Sequence, residues 1–317
     1  MKIILKLLLT FIISTLFYAC STLQRSDRLT EKEVAPGVTV INSDLMVDKT
    51  EISNFNWLEY MYWTKRIFGG TTSEEYINTL PDTNVWKEGT CLEKYRTQYL
   101  RNPAYRDFPV VGITQQQAVD FCKWRSDRVF EYILIREGLL STDTKQNAYN
   151  YFTIERYYNG LYTKDSTVNS SLTHENPNFE LLYPHYSLPT LAERNLIINY
   201  TDSIGYEYQT KYSRIMNKLA EGRKRMIQLD ITICDSTKLL EKPTVSTTTG
   251  VPEKRNFDQI YNIRGNVAEW LNEENLTAGG GWPHNTKYVV KNDTVSSYSA
   301  NSWTGFRCAF RWKKWKE

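Results

Sequence analysis

At 317 residues and 37.2 kDa, with 41% hydrophobic and 24% charged residues, the chain can bury a sizeable core, which excludes wholesale disorder. Its 39 basic and 36 acidic residues leave a net charge of only +3, too small a field to recruit nucleic acid or an anionic bilayer. Three histidines leave little room for a histidine-built metal centre, while 22 Tyr and 9 Trp suit a loop-rich fold whose rings pack inward and keep a polar edge wet.

The N-terminus reads as an export signal. Met1, Lys2 and Lys6 supply a positive start, and the apolar run from Leu7 to Leu16 has the length of a signal-peptide core, short of a membrane span. The run ends in Phe17-Tyr18-Ala19-Cys20, which resembles the lipobox cut by the bacterial lipoprotein signal peptidase, although Phe17 and Tyr18 are bulkier than usual there. On this reading residues 1–19 are a lipoprotein leader, Cys20 becomes the lipidated mature terminus, and the polar residues 20–37 are its tether. An ordinary signal peptide with an accidental cysteine is the alternative. Ser21 carries no aspartate signal for inner-membrane retention, so the expected location is the outer membrane facing the periplasm, with the cell surface also open. Four cysteines then remain, Cys91, Cys122, Cys234 and Cys308, and an exported chain permits disulfides among them. Spacing alone does not choose among the three pairings.

Further along, Val38–Trp63 predicts a strand followed by a helix capped by Ser53 or Asn54, with Phe55, Leu58 and Tyr62 on its apolar face. Pro109–Thr114 reads as extended, and Thr114 caps a helix in which Ala118, Phe121, Cys122 and Arg125 recur at helical spacing. From about 127 to 186 the chain is rich in Tyr and Asn and reads as an insertion, with a helix over 127–139 and no clean pattern afterward. Its tyrosines either form a contact surface or pack within the insertion. Thr190 with Glu193 forms a capping box for a helix running toward Asn199. A basic helix over 206–226 and a Pro/Thr/Gly-rich loop over 241–256 come next, and the last third is short strands and turns, ending in a basic tail over 313–317. The expected class is α+β, in one domain over residues 38–312.

Five pieces in order, VDKTEISNFNWLEY, PVVGITQQQAVDFCKWRSDR, LPTLAERN, YNIRGNVAEW with AGGGW, and GFRCAFRW, resemble the formylglycine-generating-enzyme (sulfatase-modifying factor) domain. The resemblance implies a C-type-lectin-like variant fold, low in regular secondary structure. It also implies a disulfide between Cys122 and Cys308, and leaves Cys91 and Cys234 to pair with each other or stay free. In catalytic relatives a calcium ion is held by positions that match Asn262, Gly265, Val267 and Glu269, all offering hard oxygen donors. A tight turn with Asn262 and Glu269 bonded to backbone would keep the same geometry without an ion, and the residues do not decide between the two.

The enzyme's oxidative chemistry uses two cysteines between the glycine-rich Trp turn and GFRC, which bind Cu(I) as thiolates. Here that segment, Pro283–Thr304, holds no cysteine, and hydroxyls or the lone His284 are no substitute for two soft donors. Copper is therefore not expected. Nor is the iron of sulfur-oxidising relatives, since His174 and His185 fall in the insertion, outside any His-x-x-x-His arrangement. WRSDRVFEYILIREG and YFTIERYYNGLY are similar to lipoproteins of the gliding-motility and type IX secretion machinery, non-catalytic members of the same family. The expectation is a membrane-anchored scaffold that contacts proteins, with no small-molecule substrate and no nucleic acid. A formylglycine-generating-type oxidase, or another enzyme of the family, is the alternative.

Overall fold

Short alternating stretches at the start of the domain pair with its far C-terminal end. In the computed structural model, which describes residues 37–86, 92–162, 182–203, 260–282 and 294–315, strand β1 (Val38–Val40) turns back into β2 (Met46–Asp48). The Asn42 side chain closes that turn by accepting the backbone N–H groups of Asp44 and Leu45, both at 2.9 Å. β2 pairs with β8 (Ala309–Lys314), and β8 pairs along its whole length with β3 (Leu182–Ser187), giving an antiparallel sheet in the order β1-β2-β8-β3. A second sheet orders β6 (Thr294–Ser296), β5 (Leu276–Ala278), β4 (Ala268–Trp270) and β7 (Thr304–Gly305), with only the β4–β7 pair parallel. The helices are α1 (Asn54–Ile67), α2 (Glu74–Ile77), α3 (Tyr95–Gln98), α4 (Gln115–Arg136), α5 (Ile154–Tyr158) and α6 over residues 191–203. The content is α+β, as the element pattern predicts. Among the described residues no helix is long and apolar enough to cross a membrane.

Reciprocal caps start the three helices that matter most. Ser53 with Asn56, Thr114 with Gln117, and Thr190 with Glu193 each satisfy an orphan amide at both ends of the box. The apolar face of α1 is rotated from the one the sequence predicts: Trp57 and Met61 are buried while Phe55 and Tyr62 are exposed. The reason is Trp57, whose ring stacks on Phe121 at 5.5 Å, meets Phe306 edge-on, and donates its Nε1–H to the Thr79 carbonyl at 3.0 Å. That ring joins α1, α4 and the segment between β7 and β8 in one core.

The insertion is less separate than the sequence suggests. The helix expected to restart at 127 is the continuation of α4, because Asp127 accepts the Ile154 amide at 2.8 Å and is thereby satisfied inside a helix. At its other end the insertion supplies β3, a central-sheet partner of β8. β8 itself runs through Lys314, so the domain extends past residue 312 into the expected basic tail. Most of the insertion's rings pack on one another: Phe130, Phe152, Tyr157, Tyr158 and Tyr162 cluster, and Trp315 stacks on Tyr158 at 5.0 Å. Tyr149 and Leu161 are left outside. Residues 1–36, with the leader and Cys20, and Cys91, His174, residues 206–226, Cys234, residues 241–256 and His284 lie outside the described residues.

Trp57→Ala removes the ring common to these elements and is expected to cost about 3–5 kcal/mol in a urea melt. Tyr62→Ala, on the exposed face of the same helix, should stay within about 0.5 kcal/mol of wild type.

Candidate functional site

The residues between β2 and α1 place a carboxylate, Glu51, in the interior with no solvent exposure. It is met from the loop before β4 by two amides: Asn262 donates to Oε2 at 3.0 Å and Asn266 donates to Oε1 at 2.9 Å. Both asparagines adopt left-handed backbone conformations, at φ 52° and 60°, which Asn tolerates better than most residues. Burial pushes the Glu51 carboxyl up to about 8, against the opposing pull of Arg307.

Next to it stands Glu269 of β4, also fully buried and held by two guanidinium groups. Arg194 of α6 donates from Nη1 to Oε2 at 2.5 Å, and Arg307, between β7 and β8, donates from Nε to Oε1 at 2.7 Å. Each arginine is anchored further by main-chain carbonyls: Arg194 Nη2 on Ile263 O, and Arg307 on Asp48 O and Tyr261 O. Burial lowers the Arg194 guanidinium from its ordinary value, with the Glu269 carboxylate opposing. A third pair closes the network: Arg125 of α4 donates to Asp48 Oδ2 at 2.6 Å, and the same oxygen accepts the Cys308 amide at 3.0 Å. Arg125 also lies over the Tyr186 ring at 4.2 Å.

The structure brings Cys122 and Cys308 together, with sulfurs 3.5 Å apart, as free thiols and not as the bonded pair that the resemblance implies. Burial, then Cys122 itself, raises the Cys308 thiol well above its ordinary value, so it is held protonated.

Of the four positions matched to calcium ligands, Asn262 and Glu269 lie in this network, but their side chains as placed do not fit the ion. Both oxygens of Glu269 are taken by guanidinium groups, and the Asn262 amide is turned to Glu51. In this turn the Asn262 side chain bonds to the Glu51 carboxyl and the Glu269 side chain to two guanidinium groups. A divalent ion beside this carboxylate would face two fixed positive charges. Unit charges at 4 Å repel by about 4 kcal/mol in protein-like surroundings, and a divalent ion by roughly twice that. Glu51, Asp48, Asn266, Arg194 and Arg307 are the members that sequence reasoning missed. The available signal was a charged residue next to apolar ones inside the family-like motifs, in TEIS, LAER and GFRC. Helical spacing puts Arg125 on the correct face of α4 without giving its partner.

A second feature is a cleft of about 630 Å³ between α4, the α5 loop and β3, walled by Tyr151, Tyr183, Tyr186 and Trp315 with Asp127 and His185 among its polar groups. Burial pushes Asp127 up to about 6 and pulls His185 down to about 4, the latter helped by Lys313 and Arg311. His185 sits on β3 opposite Arg311, edge-on to Tyr183.

A family model described as the sulfatase-modifying factor enzyme 1-like domain matches residues 20–312. Among solved structures, the crystal structure of CarF is similar at 17% identity over 84% of this chain and 86% of that one, with a TM-score of 0.38, too low to carry an argument. No curated protein matches the chain.

Glu51 sets a pH dependence. Between 4.5 and about 8 the unfolded chain has released a proton that native Glu51 keeps, so this group makes stability fall as pH rises through that window. Glu51→Gln removes the titration. The variant's melting temperature relative to wild type should therefore be higher at pH 8 than at pH 5, and an equal difference at the two values would remove the assignment.

Proposed function

The chain belongs to the sulfatase-modifying factor family, and we propose that it works as a non-catalytic, lipid-anchored scaffold that holds other proteins. The observation that carries this reading is the sulfur-free stretch Pro283–Thr304, where the family's oxidation requires two thiolates for Cu(I). The buried carboxyl groups point the same way. Glu51, Glu269 and Asp48 are satisfied by Asn262, Asn266, Arg194, Arg307 and Arg125, an arrangement that fixes the placement of the elements and presents none of these groups to a substrate.

The proposed setting is a gliding-motility or type IX secretion apparatus, at the periplasmic face of the outer membrane. Support comes from the two stretches that resemble lipoproteins of that machinery, which interlock: Arg128 donates to the Phe152 carbonyl, Asp127 accepts from Ile154, and Phe130 packs against Phe152, Tyr157 and Tyr158. The aromatic cleft opens between them, and a rigid ring supplies contact area at small entropic cost. The leader and Cys20 supply the anchor in this reading. In an oxidising compartment the Cys122 and Cys308 thiols, 186 residues apart in sequence and side by side in space, are expected to be joined, contributing about 2–4 kcal/mol.

Four measurements test this. Affinity capture of the mature protein from membranes, followed by mass spectrometry, should recover secretion or motility components, and their absence would sink the machine assignment. Cys20→Ala should move the protein out of the membrane fraction. Protein prepared from the periplasm under non-reducing conditions should be lighter by the two hydrogens of one disulfide, a difference lost on reduction. Stoichiometric copper with oxygen consumption on a sulfatase peptide would overturn the non-catalytic reading itself.

A further inference from the structure

β4 and the turn before it present an acidic side chain and a main-chain carbonyl of the kind that hold a hard cation, yet the space between them is filled from within the chain. Arg194 enters it from α6, fully buried, bonding Glu269 Oε2 through Nη1 and Ile263 O through Nη2, each at 2.5 Å. The opposite wall is Gly279, at φ +91°, where a Cβ would stand 2.3 Å from Arg194 Nη2 and 3.1 Å from Ile263 O. The backbone there is shaped around a guanidinium. The arginine is also delivered at a fixed position. The start of α6 is tied to the β4–β5 turn by the Leu191 amide on the Glu273 carboxylate and the Asn272 amide on the Pro189 carbonyl.

We infer that Arg194 is the resident cation at Glu269, its guanidinium neutralising the carboxylate and donating to Ile263 O where a metal ion would otherwise supply the positive charge, so that the fold is metal-independent. Arg307 occupies the other oxygen of Glu269 and cannot supply the same contact, because its remaining donors are committed to Asp48 O and Tyr261 O. Truncating Arg194 leaves a cavity lined by a carboxylate and a carbonyl oxygen, hard donors suited to calcium or to a small guanidinium compound. The inference stands apart from the scaffold reading, since it concerns what holds the domain together and not what the domain touches.

The test uses full-length mature protein and three additives: EDTA, calcium chloride and ethylguanidinium chloride, each against sodium chloride of equal ionic strength. Wild type should hold no calcium by elemental analysis after dialysis and should melt at the same temperature in EDTA and in millimolar calcium, whereas an occupied site would gain several degrees. Retained stoichiometric calcium, or a loss of melting temperature in EDTA, overturns the inference. Arg194→Ala should melt lower than wild type, and millimolar ethylguanidinium or calcium should recover part of the loss. If the variant folds poorly, refolding yield from urea takes the place of melting temperature, with the same additives expected to raise it. A variant as stable as wild type, or one that neither cation improves over sodium chloride, also overturns it. Arg194→Lys keeps one charge and is expected to remain folded and indifferent to calcium.

Discussion

One carboxylate organises the interior of this protein. Glu269 on β4 is gripped by Arg194 from α6 and by Arg307 from the turn into β8, so a single side chain joins the second sheet, the last described helix and the C-terminal strand. A buried ion pair is not in itself a source of stability, because desolvating three charges costs as much as their attraction returns. Its force lies in the penalty for disturbing it. Any rearrangement that parts one arginine from Glu269 leaves an uncompensated charge away from water, so the elements are locked to one relative placement.

The other polar groups extend this centre. Glu51 stands beside it with two asparagine amides, and Asp48 ties the Cys308 backbone to Arg125 of α4. Around the charges lies an aromatic core in which Trp57, Phe121 and Phe306 meet at close to parallel or perpendicular angles. Short strands and long loops would make a loose fold by themselves. Here the regular structure is sparse, and the buried polar network does part of the positioning that longer ladders do elsewhere.

Family membership fixes the fold of this chain and leaves its chemistry to be argued from its residues. The match over residues 20–312 says which family the fold comes from, and it says nothing about retained activity. Pro283–Thr304 lacks the thiols on which the family's oxidation turns, and Cys308, which does have a sulfur neighbour, is buried in the core beside Cys122. Within the described interior, the carboxylate of Glu269 is balanced by Arg194 and Arg307 and that of Asp48 by Arg125. An aromatic cleft opens between α4 and β3 on the described surface.

What the residues alone determined is local. The helix starts near Ser53, Thr114 and Thr190, the burial of Cys122 and the α+β class were legible because caps and periodicity act over a few residues, and the approach of Cys122 to Cys308 followed from the family resemblance that the ordered motifs carry. The rotated face of α1, the continuation of α4 through Asp127, the place of β3 in the central sheet and the partners of Glu269 were decided only in three dimensions. In each case the deciding partner lies far away in sequence: Phe306 for Trp57, Ile154 for Asp127, Arg311 for His185, and Arg194 for Glu269. Periodicity marks a residue as inward-facing, but a buried charge is tolerated only against a specific opposite charge, and that identity is a property of packing.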